Sequence, residues 1–339
     1  FAVPSVKSNS LGLLAGLCAF LIWGFLVVFW HMLDAVAPFE ILCYRIIFSF
    51  VSLLPVVMLT RRWAEVVSAF RNRRVALTMF ASSCVVGLNW FLYIWAGQIL
   101  ETSLGYYTNP LMNVLFGFLF LRERPSRLQG IAILLACMGV LLSFLGHNQF
   151  PWLALSLAFT FALYGFIRKT VSVEALPGLF IETIVLIPFS LGWILWLYWN
   201  GEGFLCSPTV REGFLLFLAG PVTSLPLVMF AYAARHMRLM TLGLLQYISP
   251  TCTFFLGNLE PGCAGDVHFY LAGLAAVYGG KLAADAAFAA LRERKKAGRH
   301  PSLFCTVERM GIWTEMVRLS WASCRKNSQY GNFHAYVYL

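Results

Sequence analysis

Residues 104–113 read LGYYTNPLMN, inside an apolar run over 102–121 that is long enough to cross a bilayer as a helix. Tyr106, Asn109 and Asn113 are polar, and Pro110 has no backbone N–H to donate. In hydrocarbon each unpartnered polar group costs several kcal/mol. The three polar residues are spaced i, i+3, i+7, which puts them on one helical face. Residues 246–253, QYISPTCT, repeat the arrangement at an offset of 140: Gln246, Ser249 and Thr253 beside Pro250, with Tyr247 next to them. Each proline frees a carbonyl in the preceding turn. A polar stripe turned to lipid is costly, so both faces are expected to point inward. Two readings follow: paired walls of a cavity, or interhelical hydrogen bonds, which average ~0.6 kcal/mol in membrane proteins.

The chain around these stretches has 339 residues, 60% hydrophobic and only 12% charged, against ~45–50% apolar in soluble domains. Apolar runs of about 20 residues recur along most of it without the polar faces of soluble amphipathic helices. Ten spans are expected: 11–30, 38–59, 75–96, 102–121, 128–145, 151–168, 178–199, 213–233, 240–257 and 267–290. No cleavable signal peptide is evident in FAVPSVKSNS, and the absence of an initiator Met makes a fragment the expectation at that end.

The net charge of +10 is placed for topology rather than for nucleic acid. Basic residues follow spans two (Arg61, Arg62, Arg71, Arg73, Arg74), four (Arg122, Arg124, Arg127), six (Arg168, Lys169), eight (Arg235, Arg238) and ten (Arg292, Arg294, Lys295, Lys296, Arg299). The other set of loops offers only Arg211. By the positive-inside rule both termini are cytoplasmic.

Two further pairs extend the repeat. FLIWGF at 20–25 matches FALYGF at 161–166 with an offset of 141 between Gly24 and Gly165, and Glu40 at the start of span two matches Glu182 in span seven at 142. The chain therefore divides into a segment 1–10, a first five-helix unit 11–146, a second 147–291, and a basic, atypical tail 292–339. An odd number of spans per copy inverts the second copy. The fold expected is an all-α integral membrane protein of ten transmembrane helices in two inverted five-helix repeats, a transporter architecture with its substrate near the midplane.

FLIWGF, ILCYRIIFSF, GLNWFLYIWA, SLGYYTNPLMNVLFGFLFLRER, ALYGFIRKTV, GLFIET and LGLLQYISPT resemble the RarD-like, EamA-type branch of the drug/metabolite transporter superfamily, over about residues 10–256. The resemblance implies ten helices around a central cavity and ATP-independent transport of a small molecule across the bacterial inner membrane. The RarD name is associated with chloramphenicol resistance. After Leu256 the chain departs from the pattern: GNLEPG arrives early, span ten contains Lys281, and 301–339 resembles nothing in the branch. A frameshifted or rearranged 3′ end would account for both and puts the packing of span ten and the activity of the product in question. Lys281 and Asp285, four apart in span ten, are read as a structural pair.

Ionisable groups inside spans are expensive and so are functional candidates. Glu40, Arg45 and Glu182 are the candidates for proton coupling or ion pairing, since a carboxylate partly out of water exchanges its proton nearer neutrality. The competing readings are an ion pair with Arg45 or simple exposure to headgroup water. Glu40 and Arg45 are five apart, a poor helical pair, so each is expected to find another partner. Asn89 and Trp90, with Trp23 and Tyr164 at the repeated aromatic-Gly sites, could stack a flat substrate or simply pack. Arg168 and Lys169 are read as topology determinants or a cationic gate.

Nine cysteines and six histidines are dispersed, without metal or disulfide spacing, and no Walker A, GxSxG, HExxH or GxGxxG occurs. The expected activity is secondary transport or export by alternating access, non-enzymatic, with no cofactor and a proton gradient as the available driving force. The expected partners are a small-molecule substrate and the bilayer, with no nucleic acid; oligomeric state is left open. A membrane-embedded enzyme would need clustered catalytic groups, and a channel would need charge rings; neither is visible.

Overall fold

The computed structural model describes residues 10–33, 35–97, 102–145 and 152–257. Its regular elements there are helices: α1 (Ser10–His31), α2 (Pro38–Leu59), α3 (Trp63–Arg71), α4 (Arg73–Gly97), α5 (Thr102–Leu119), α6 (Arg127–Leu145), α7 (Trp152–Thr170), α8 (Ala175–Trp199), α9 (Val210–His236), α10 (Leu239–Leu245) and α11 (Ile248–Gly257). The first eight expected spans coincide with helices to within a few residues. Span ten, the pair Lys281–Asp285 and the tail lie outside the described residues. Among the described residues five helices qualify by length and composition to cross a membrane: α1, α2, α4, α8 and α9. α5 and α7, of 18 and 19 residues, are long enough but carry the polar side chains at issue.

Two features differ from the sequence reading. Span nine, expected as one helix over 240–257, is broken at Gln246 and Tyr247 into α10 and α11. The cause is Pro250, whose ring clashes with the carbonyl four residues earlier, that of Gln246, and which has no N–H to give it. The chain passes the break on tighter bonds, Gln246 N–H to Gly243 O (3.1 Å) and Ser249 N–H to Gln246 O (3.1 Å). The second feature is α3, a nine-residue helix in the arginine-rich connection after α2. It buries Val66 and Ala69 and sets Trp63 against Phe180 of α8, with ring centroids 6.1 Å apart. A search for 20-residue apolar runs passes over such an amphipathic segment.

The helix pairs interlock in a regular way. α1 opposes α9, with Gly12 against His236 and Gly16 against Ala233; α7 opposes α4, with Arg168 reaching Met79 and Asn89 reaching Leu157. α2 runs with α9 (Phe48 to Phe217, Ser49 to Gly220), and α4 runs with α8 (Ser82 to Glu182, Gly87 to Leu186). α2 opposes α8, with Phe39 at Trp193 and Phe50 stacked on Phe180. α5 opposes α10, with Asn113 at Gln246 and Gly117 at Met240. α5 also packs on α7, and α1 on α11. Small residues permit these approaches: a methyl added at Gly24 would lie 2.5 Å from Cys252 Cβ, and one at Gly243 would lie 2.8 Å from Pro110 O.

Candidate functional site

The two polar stripes face each other. Asn113 Nδ2 donates to Gln246 Oε1 at 2.8 Å, beside the break between α10 and α11, and both residues are buried. At this pair the geometry is the interhelical bond rather than an open gap. Asn109 and Ser249 are buried on the same walls, at 6% and 7% exposure, and Asn109 Oδ1 has no hydrogen-bond partner among the described residues. Tyr247 is buried with Val114 and Ala136. Tyr106 and Thr253 lie within α5 and α11, but their side chains are outside the described residues.

The repeated aromatic-Gly sites come together between the walls. Trp23 packs against Phe20, Phe161 and Phe230 with centroids 5.6–6.0 Å apart, and Tyr164 stacks on Phe230 at 6.1 Å. In this conformation the rings stack on one another. Gly24 lies under Ser249 and Cys252, and Gly165 lies near Asn113 Oδ1, so each aromatic-Gly site abuts the polar stripe that is distant from it in sequence. Asn89 is committed to α7: its Nδ2 donates to Leu157 O (3.0 Å) and Thr160 Oγ1 (2.9 Å).

Glu182 is buried rather than exposed to headgroup water, at 1%. Ser82 donates to its Oε1 at 2.6 Å, Tyr164 OH to its Oε2 at 3.2 Å, and Arg168 Nε stands 3.8 Å from Oε1. Arg168, which sequence reading assigned to topology or a gate, is wholly buried. Its Nη2 donates to the carbonyls of Glu174 (3.2 Å) and Ala175 (3.0 Å), and its guanidinium lies over Gly178, where a side chain would collide with it. The cluster of carboxylate, hydroxyl, guanidinium and phenol draws on α4, α7 and α8. Ser82 and Arg168 were not singled out as site residues because nothing in linear spacing brings position 82 to position 182.

Glu40 is also buried, at 4%, and accepts a long-range bond: Phe204 N–H donates to its Oε1 at 2.7 Å, joining the start of α2 to the connection after α8. Arg45 lies between two indoles, its Cζ 4.6 Å from the Trp90 centroid and 5.7 Å from that of Trp30. On the arginine-rich face three ties hold the helix ends. Arg62 pairs with Glu174 (2.7 Å) and Glu65, a pairing that raises the Arg62 pKa; Arg235 donates to Val171 O and Val173 O; and Glu123 accepts Leu239 N–H (2.9 Å) and Met240 N–H (2.8 Å), with Lys169 Nζ 4.0 Å away.

Helices with satisfied backbones, polar groups turned inward and a helix broken at buried depth define a class, the polytopic membrane transporter. The EamA-like transporter family matches residues 10–145. An uncharacterized transporter of Vibrio cholerae is 38% identical over 265 residues, covering 77% of this chain and 88% of the relative. Protein RarD of Salmonella typhi is 38% identical over 253 residues, 74% of this chain and 86% of the relative. A solved crystal structure of 20% identity superposes with a TM-score of 0.61, covering 81% of this chain and 97% of that one, a likeness of fold. The chain belongs to the EamA-like transporter family as a RarD-like, multi-pass membrane protein.

Proposed function

We propose that the chain is a secondary transporter of a small organic molecule, working by alternating access of two inverted units, 11–146 and 147–291, in the bacterial inner membrane with the arginine-rich face in the cytoplasm. The observation that carries this is the pair of polar walls meeting at Asn113 and Gln246 next to the Pro250 break. The helix packing supports it too. Under the exchange of α1 with α7, α2 with α8, α4 with α9 and α5 with α10 and α11, each pair described above maps onto another or onto itself. The directions chain consistently: α1 opposes α7, α2 opposes α8 and α4 opposes α9, as inversion requires. Two similar units of opposite orientation offer two near-equivalent packings, and relative rocking between them opens one face or the other.

Glu182 is the proposed proton site. It sits at the junction of α4, α7 and α8, and a hydroxyl, a phenol and a guanidinium are placed to hold either of its protonation states. The test is flux into proteoliposomes carrying the full chain, with a panel of small solutes that includes chloramphenicol, with and without a proton gradient. Saturable flux that falls when the gradient is collapsed is expected. Asn109→Leu and Ser249→Leu should each impair flux more than membrane insertion. Flux without saturation would sink the carrier reading, and full flux in both variants would reject the walls.

A further inference from the structure

α3 is set off from its neighbours by sharp turns. The chain leaves α2 through Arg61 in the left-handed conformation (φ 57°) and enters α4 through Asn72 in an extended one (φ −86°, ψ 104°). Since α2 and α4 are long and apolar enough to cross a membrane, the helix between their ends stands at the membrane edge. At about 100° per residue, α3 has three sides. Val66 and Ala69 are buried against the bundle. Ala64, Ser68 and Arg71, spaced i, i+4, i+7, are exposed on a solvent side. Trp63, Val67 and Phe70 have the same spacing on the side between those two, and Trp63 and Phe70 are left 45% and 48% exposed. The charges around this stripe are lopsided: five arginines and one carboxylate fall within 61–74. Arg62 and Glu65 are committed to Glu174. Arg71, Arg73 and Arg74, all within four residues of Phe70, are exposed and make no ion pair among the described residues.

We propose that α3 is a docking helix for anionic phospholipid. Trp63, Val67 and Phe70 seat among the headgroups and upper acyl chains, and Arg71, Arg73 and Arg74 bind the lipid phosphate. A half-exposed apolar stripe beside a basic one is what an in-plane interfacial helix presents to a membrane. A guanidinium takes a phosphate bidentately, and arginine stems lie along apolar surface while their heads stay in water. The occupant is lipid rather than a soluble partner because the apolar residues next along the chain are exposed too. These are Leu59 at the end of α2 and Leu77 and Phe80 in the first turns of α4, on helices fit to cross the bilayer.

The full chain in detergent micelles is titrated with phosphatidylglycerol and, separately, with phosphatidylcholine, and native mass spectrometry resolves the first bound lipid of each. Phosphatidylglycerol should bind more tightly. Replacing Arg71, Arg73 and Arg74 together by Gln should weaken it at least about fivefold, the scale of a single arginine near an anionic surface, and leave phosphatidylcholine unchanged. A charge-matched variant with Arg122, Arg124 and Arg127 replaced by Gln should keep the preference. Equal affinity for the two lipids overturns the assignment. So does the same loss in both triple variants, which would make net charge the cause. Nitroxides at Phe70→Cys and Ser68→Cys, with the native cysteines replaced by alanine, report orientation in nanodiscs of phosphatidylcholine and phosphatidylglycerol. The label at position 70 should be relaxed more by oxygen, which collects among acyl chains, and that at position 68 by a water-soluble nickel chelate. A label at position 70 in water would give the stripe to a soluble partner and end the proposal. The inference draws on the multi-pass membrane character of the chain and on no substrate or flux. Its failure therefore leaves the transport reading standing, and failure of that reading leaves the lipid site.

Discussion

Arg168 and Glu182 are costly residues to bury. Two formal charges with 0% and 1% side-chain exposure are held by each other, by hydrogen bonds from Ser82 and Tyr164 to the carboxylate, and by those from Arg168 Nη2 to the carbonyls of Glu174 and Ala175. Removing one partner strands the other: Arg168→Leu should cost about 3–5 kcal/mol of stability, read as a lowered melting temperature in detergent. Glu182→Gln keeps the volume and one acceptor oxygen, and a Ser82 or Tyr164 hydroxyl can turn to accept from the new amide N–H, so insertion should survive while flux loses its response to a proton gradient. A gradient response equal to that of the unaltered chain would remove Glu182 from coupling. Gly178→Ala tests the packing of the same pair. The new methyl meets the Arg168 guanidinium, which cannot swing away without leaving both carbonyls, so a loss of about 1–3 kcal/mol is expected. A melting temperature equal to wild type would mean the guanidinium has room to move.

Among the elements, the broken helix is the most informative. α10 and α11 meet where Gln246 reaches Asn113, and Gly243 lets α10 lie directly on Pro110 and Val114 of α5. The two elements are thus held at a point where one of them has lost helical continuity. Pro250→Ala restores a donor and removes the ring clash. The expected outcome is a continuous helix over 239–257, with melting preserved or raised and maximal flux lowered severalfold. Undiminished flux in a well-folded variant would show that the break has no part in transport. α3 does different work. Glu65 on it accepts Glu174 N–H at 2.8 Å, so this short helix helps to clamp the start of α8.

At the scale of the whole molecule, the described helices are tied to one another at their ends on the arginine-rich face. Glu123 spans the turn into α10 with Lys169 nearby, Arg235 grips the α7–α8 connection, and Arg62 with Glu65 holds Glu174, all on the arginine-rich side. Loosening the ties should therefore shift the population towards a form open to the arginine-rich face. In a background where Cys252 is the remaining cysteine, Glu123→Gln should speed its reaction with an impermeant maleimide added from that face. No change in rate would assign Glu123 a purely structural role. Cysteines introduced at Asn72 and Glu202 should label from opposite sides of the membrane, and labelling from one side would reject the proposed orientation.

Hydrophobic run length, basic-residue placement and the offsets near 140 were written in the chain, and they sufficed for a helical, multi-pass transporter with its polar stripes at Asn109, Asn113, Gln246 and Ser249. These are local properties: an apolar stretch must be a helix in lipid whatever its neighbours, and a proline disturbs its own preceding turn. Which polar groups touch was decided only by tertiary packing. Arg168 follows an apolar helix just as a topology-setting arginine would, and only the approach of α4 and α8 makes it a buried partner of Glu182. Arg45 and Trp90 were each visible, but no spacing rule brings positions 30 and 90 to the two indoles that flank Arg45. Contacts between residues far apart in sequence depend on which helices pack together and at what depth, and periodicity within one helix carries no record of that.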